Sequence, residues 1–190
     1  RTTVRKQQEY WMNVFKGEIP VLNLPTDFPR PALKRPVGDI VPVDCDRQAS
    51  HKVHRFITET HTTLYILLLA VFNVLLSKYT LQEDIIIGSP IAGRHHPKTE
   101  QIIGIFVNMI AMRNFPAGSK TFRQFLEEVK RNTLAAFQDQ AYPYGRLLEK
   151  LHLKIDAARN PLFDVELVLQ NMERPRLEAG GLKFSSYEFD

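Results

Sequence analysis

A single cysteine, Cys45, leaves this chain of 190 residues no means of forming an internal disulfide. That fits a reducing compartment, and a cytoplasmic location is the expectation. Long apolar runs are also scarce. The longest near-continuous one, Leu64 to Leu76, contains Asn73 and is shorter than the roughly 20 residues a bilayer-spanning helix needs. No membrane association is expected, and no signal peptide is visible. Basic clusters are missing too. The 25 Lys and Arg are scattered among 21 Asp and Glu, for a net charge of +4. Without Lys/Arg-rich runs interleaved with aromatics, nucleic acid is not an expected partner, whereas a mildly basic surface suits an acidic protein.

Catalytic signatures are absent in the same way. There is no G-x-S-x-G elbow, no H-E-x-x-H, no phosphate loop and no dinucleotide fingerprint. His51 and His54 neighbour Lys52 and Arg55 with no carboxylate beside them, so they read as a solvated helix face and not as metal ligands. Cys45 reads as a small packed side chain. The chain is expected to hold no catalytic residue, no metal and no bound cofactor.

What remains is an ordinary globular composition, 44% hydrophobic and 24% charged, long enough for one domain with its own core. The organising stretch is Ile85 to Arg113. Ile85, Ile86 and Ile87 form a β-branched run that reads as a buried strand ending at Gly88. Ser89 and Pro90 break it, and Gly93 permits a tight bend. A second apolar run from Ile102 to Met112 is interrupted by Gly104 and Asn108. A small residue there lets another chain or a ligand approach, and a buried Asn must find hydrogen-bond partners.

Around this stretch the periodicity predicts helices at 4–16, 47–60 and 64–79, the last apolar nearly all round and therefore central, capped by Thr62 or Thr63. Asn73 within it reads as a hydrogen-bonded core residue. Asp39 to Asp44 reads as a strand. Five prolines make 18–37 neither helix nor sheet interior. Thr121 and Gln124 form a capping-box pattern opening a long helix, on which Glu127 and Arg131 are an i,i+4 pair. Pro143 suits the first turn of a further helix carrying Leu147, Leu148 and Leu151. Phe163 to Leu169 and Leu182 to Phe189 read as strands, with a polar loop from Met172 to Gly181 between them. This order predicts an α/β two-layer sandwich with a mixed sheet. Both ends read as cut from something larger.

Several of these segments carry a resemblance. Gly88 to Arg94 (GSPIAGR), Pro97, Glu100 and Ile103 to Asn108 (IGIFVN) resemble the run GTPVAGR, Pro, Glu, IGxFVNT of nonribosomal peptide synthetase condensation domains. Ser89 stands for the first Thr, Ile91 for the Val and Met109 for the last Thr. Leu22 to Asp27 with Arg30 and Pro31 resembles LxLPTDxPRP. Gln140, Tyr142 and Pro143 resemble HQDxPFE, with Asp139, Ala141, Tyr144 and Gly145 departing from it. Asp156, Arg159, Asn160, Pro161 and Leu162 match RDxSRNPL, with Ile155 and Ala158 departing, and 168–171 resembles the strand end VLQN.

The family's catalytic motif, HHxxxDG, is not among these. His95 and His96 tempt that assignment, but Glu100 and Gln101 occupy the Asp and Gly positions, and the pair lies between GSPIAGR and IGIFVN. Arg94 and Lys98 beside them lower a His pKa without orienting a base. The resemblance implies that residues 1–190 are the C-terminal lobe of a condensation domain. The fold implied is the chloramphenicol acetyltransferase-like (CoA-dependent acyltransferase) half-domain, with the catalytic N-terminal half absent.

It further implies amide-bond formation between a donor acyl or peptidyl group and an aminoacyl acceptor. Both arrive on phosphopantetheine arms of carrier proteins, and this fragment is inactive by itself. Expected partners are the N-terminal half of the same domain, peptidyl or acyl carrier proteins and an adjacent adenylation domain. Gly104 and Asn108 are expected near the substrate channel. Gly88, Ser89, Pro90, Gly93 and Arg94 form an inter-lobe loop, and Met172 to Gly181 a latch. Tyr142, Pro143, Asp156, Arg159, Asn160 and Pro161 are expected to be structural motif residues, with Arg159 in an ion pair for which Asp156 is the candidate partner. A lobe without its partner exposes apolar surface and is expected to self-associate. Two other readings stay open: a lobe of an epimerising, cyclising or coenzyme A-dependent acyltransferase domain, and a non-catalytic carrier-docking module.

Overall fold

Ile85, Ile86 and Ile87 do form a buried strand, and it runs past the point at which the sequence breaks it. In the computed structural model, which describes residues 2–34, 37–94, 97–100, 102–153, 156–170, 178–179 and 182–183, strand β1 spans Ile85–Ile91. It pairs antiparallel with β2, Asn108–Asn114, in the register Ile85↔Asn114 to Ile91↔Asn108. Gly88, Ser89 and Pro90 thus lie in a strand and not in a loop. The reason is geometric. The Gly88 N–H donates to the Val165 carbonyl at 3.0 Å and the Gly88 carbonyl accepts from Leu167 N–H at 2.9 Å. Pro90, two residues on, turns its nitrogen to that same side, so its missing N–H costs the β1–β2 ladder nothing.

The helices are α1 (Thr2–Val14), α2 (Arg47–Thr60), α3 (Leu64–Thr80), the short α4 (Pro97–Glu100), α5 (Phe122–Gln138) and α6 (Tyr144–Leu151). Local signals set their ends. The Asp46 carboxylate accepts from Ala49 N–H to open α2, Thr63 does the same for α3 with Ile66 N–H, and Thr121 and Gln124 form the full capping box of α5. Pro143 is the residue before α6, one position earlier than expected. Glu127 and Arg131 do not pair; Glu128 instead reaches Lys120 at 2.7 Å.

One face of the β1–β2 pair carries Ile85, Ile87, Ile110, Met112 and Asn114, packed under α3 and α5. Leu69, Leu126 and Val129 of those helices are fully buried, each contributing about 1.5–3 kcal/mol by leaving water. The other face is also covered. Phe163 packs on Gly88, α6 contacts β2, and the Arg113 side chain on that face reaches the Val14 and Glu18 carbonyls at the end of α1. Helices α3 and α5 therefore cover one face, while the second face is met by Phe163, by α6 beside β2 and, through Arg113, by the end of α1.

Among the described residues, mixed pairing survives only as a parallel bridge between Gly88 and Glu166, not as the full strand expected at Phe163 to Leu169. Asp39 to Asp44 forms no strand either; Ile40 and Val43 are each 87% exposed, and no strand among the described residues pairs with them. The run from Ile102 becomes a strand only at Asn108. Near the end of the chain, Glu178–Ala179 (β3) and Leu182–Lys183 (β4) form an antiparallel pair; most of the expected latch and final strand lie outside the described residues.

Candidate functional site

Asn108 opens β2, and its side chain reaches across to the turn before α6. Its Nδ2 donates to the Gln140 and Tyr142 carbonyls, both at 2.9 Å, and its Oδ1 accepts from Tyr144 N–H at 3.1 Å. Both amide hydrogens are thus committed to backbone. From the opposite side the indole Nε1 of Trp11 donates to the Asp139 carbonyl at 2.9 Å. The turn 139–144 is held between α1 and β2, and Tyr142 is buried in it. Two separated sequence motifs, IGIFVN and QAYPY, are joined by one asparagine. Gly145 has open space around its Cα, so its departure from the family's Glu answers no packing demand.

The third motif closes on the same place. The Tyr144 hydroxyl donates to the Pro161 carbonyl at 2.5 Å, and its ring lies 5.7 Å from that of Phe163. Arg159 forms an ion pair, as expected, but chiefly with Asp164; Asp156 is the more distant partner at 3.8 Å. Its guanidinium also donates to the Leu22 carbonyl at 2.9 Å, and Lys34 Nζ donates to Asn160 Oδ1 at 2.9 Å. The proline-rich segment is therefore stitched to the motif at 156–164 by these contacts.

Gly88 faces Phe163 so closely that a Cβ would lie 2.4 Å from the ring. Ser89 Oγ donates to the Leu167 carbonyl at 2.9 Å. Beyond β1, the Arg94 guanidinium donates to the carbonyls of Thr99, of Ile102 at 3.0 Å and of Gly104 at 3.0 Å, and lies 4.4 Å from the Phe106 ring centre. Outward from this loop project Ile103 at 102% exposure and Ile105 at 94%. Gly104 thus lies within an exposed apolar segment and Asn108 at its end, Gly104 held by Arg94 and Asn108 by the turn. His95 and His96 lie outside the described residues.

Electrostatics here favours neutral, fixed groups. Burial pushes the Tyr10 hydroxyl up to about 12, with the Asp139 carboxylate adding to the rise. Burial raises Tyr144 as well, with the charge of Glu166 second. Among the described residues no three His, Cys, Asp or Glu side chains converge as a metal site would require, and no single helix is long and apolar enough to cross a membrane.

Sequence reasoning missed three contributors. Arg113 binds Asp84 through both nitrogens (2.9 and 2.7 Å) while holding α1. Trp11 holds the Asp139 carbonyl, and Phe163 excludes a side chain at 88. An arginine closing an apolar run, and the one tryptophan of the chain, were the available signals.

The full length of the chain, residues 1–190, matches the model of the condensation domain. The chain belongs to the condensation-domain family. Among curated relatives of this condensation-domain chain, surfactin synthase subunit 2 of Bacillus subtilis (strain 168) is 53% identical over 98% of the chain, and tyrocidine synthase 3 of Brevibacillus parabrevis is 54% identical over 96%. The chain spans only 5% and 3% of their lengths. Among solved structures, a four-domain nonribosomal peptide synthetase bound to AMP and glycine superposes with a TM-score of 0.85 at 27% identity, over 88% of this chain and 13% of that one. The X-domain from teicoplanin biosynthesis shares the fold, with a TM-score of 0.80 at 22% identity over 86% of this chain and 36% of that one.

Proposed function

We propose that this chain is the C-terminal half of a condensation domain in a nonribosomal peptide synthetase, of the chloramphenicol acetyltransferase-like superfamily. It forms one wall of a channel in which the amine of a carrier-bound aminoacyl group attacks a carrier-bound acyl or peptidyl thioester. The new C–N bond replaces the C–S bond, and the thiol of the donor's phosphopantetheine arm leaves. The observation that carries this reading is the outward apolar strip of Ile103, Ile105 and Val107 on a clamped backbone. A chain sharing the fold with about a third of a solved X-domain has such a face to offer to a companion half.

Gly88, Ser89 and Pro90 serve this role from within β1, anchoring the strand from which Gly93 and Arg94 launch the loop. Gly104 and Asn108 flank the channel; Asn108 acts through the turn it holds, since both its amide hydrogens are spent. The chemistry belongs to the companion half. Carrier proteins and an adenylation domain are the further partners, and the cytoplasm is the compartment.

The test is a mass-spectrometric condensation assay with donor-loaded and acceptor-loaded carrier proteins. Amide product is expected only when this chain and the upstream half of its synthetase are both present. Product from this chain alone would overturn the assignment of the chemistry. No product from the pair, with folded proteins and loaded carriers, would overturn the condensing role; coenzyme A thioesters then test the acyltransferase alternative.

A further inference from the structure

Arg94 has a demanding set of contacts for a residue in a surface loop. Its Nη1 donates to the Thr99 carbonyl and to the Ile102 carbonyl at 3.0 Å, and its Nη2 to the Gly104 carbonyl at 3.0 Å. The Phe106 ring lies under the guanidinium, 4.4 Å from Cζ. The base of the loop is closed by backbone contact. Gly93 adopts φ +67°, and a Cβ there would lie 1.8 Å from the Phe106 carbonyl oxygen, so no other residue fits without moving residue 106.

These contacts dictate what the loop shows to the outside. Residues 102–107 form no ladder and bend at Gly104, so the Arg94 contacts, and not strand pairing, fix which side chains turn inward. With Phe106 drawn inward beneath the guanidinium, Ile103, Ile105 and Val107 face outward, at 102%, 94% and 62% exposure. The same hydrogen bonds explain why β2 starts only at Asn108: the Ile102 and Gly104 carbonyls are turned toward Arg94 and away from any ladder.

We propose that Arg94 is a positioning residue: it moulds 102–107 into a rigid apolar strip, and the role needs the arginine fork, not merely a positive charge. A planar guanidinium spans several carbonyls while stacking on an aromatic ring; a lysine ammonium is a compact point charge that cannot do both. The functional consequence, a preformed docking strip for the companion half, rests on the reading given under Proposed function. Preorganisation there removes the cost of ordering the strip on association.

The test uses ¹⁵N relaxation on this chain, with Arg94→Lys, Arg94→Gln and Phe106→Leu variants. The wild-type amides of Ile103, Ile105 and Val107 should give order parameters near the rigid value of about 0.85, and both Arg94 variants should bring them below about 0.6. The amides of α3 should be unchanged, and Phe106→Leu should fall between. Rigid values retained in Arg94→Lys would overturn the proposal, as would a wild-type strip already below about 0.6. A second arm measures association with the upstream half, which Arg94→Lys should weaken about tenfold. Loosened amides with undiminished association would leave the clip standing and overturn the docking role instead.

Discussion

Ile85, Ile86 and Ile87 are at most 3% exposed, while Ile103 and Ile105, a short way further along, stand almost wholly in solvent. The residue type is the same. What differs is what the carbonyls and amides do. Around β1 they are taken by β2 on one side and by Val165 and Leu167 on the other, so the side chains are pressed against α3, α5 and Phe163. Around 102–107 the inward carbonyls are taken by one arginine, which brings no apolar surface of its own beyond its stem. Burial follows the partner and not the side chain. A segment can be apolar, ordered and exposed when its backbone is satisfied by a charged group.

The contrast can be broken most sharply at Gly88. Gly88→Val forces methyl groups into the Phe163 ring and should destabilise the chain by about 3 kcal/mol, at the upper end of overpacking effects, measured by urea denaturation. Combining Gly88→Ala with Phe163→Leu should recover part of the loss of the alanine variant; no recovery would mean that the ring is not the obstacle. Next in size is Asn108→Ala. It strands two carbonyls and one N–H and should cost about 2 kcal/mol, with the loss appearing as faster amide exchange in 140–144.

Smaller still is the alkaline limb of stability. The Tyr10 pKa in the folded chain is raised to about 12 by burial, against about 10 when unfolded. Its stabilising contribution is therefore complete below pH 10 and disappears as pH rises through 12. Tyr10→Phe should flatten the decline of melting temperature over that window; an unchanged slope would place the decline elsewhere, Tyr144 being the next residue to replace. The smallest effect is at the exposed strip. Ile103→Ser with Ile105→Ser should leave stability within about 0.5 kcal/mol yet reduce self-association in sedimentation. A large stability loss would mean that the strip is packed within this chain after all.

Much of the architecture was legible. The helices over 47–60 and 64–79, the Thr63 cap and the capping box at Thr121 follow from short-range patterns that tertiary context did not overturn. So did the role of Asn73, whose Nδ2 donates to the Leu69 carbonyl at 2.8 Å inside α3. The strands were less legible. Asp39 to Asp44 has a strand's composition but no partner, and Ser89 and Pro90 look like breakers yet sit in β1 because their outer side is free of β2. Pairing is non-local, so composition cannot decide it.

The same division runs through the candidate site. By itself the sequence singled out candidates: Gly88, Gly104 and Asn108 from their place in apolar runs, and Arg94, Tyr142, Arg159 and Asn160 through the family resemblance they carry. Only the tertiary structure decided what they do. It turned Asn108 into the clasp of a turn some thirty residues away, moved the main partner of Arg159 from Asp156 to Asp164, and set Arg94 at the centre of its own loop. Hydrogen-bond demand is a property of the residue; the group that meets it depends on which distant backbone the fold brings within about 3 Å.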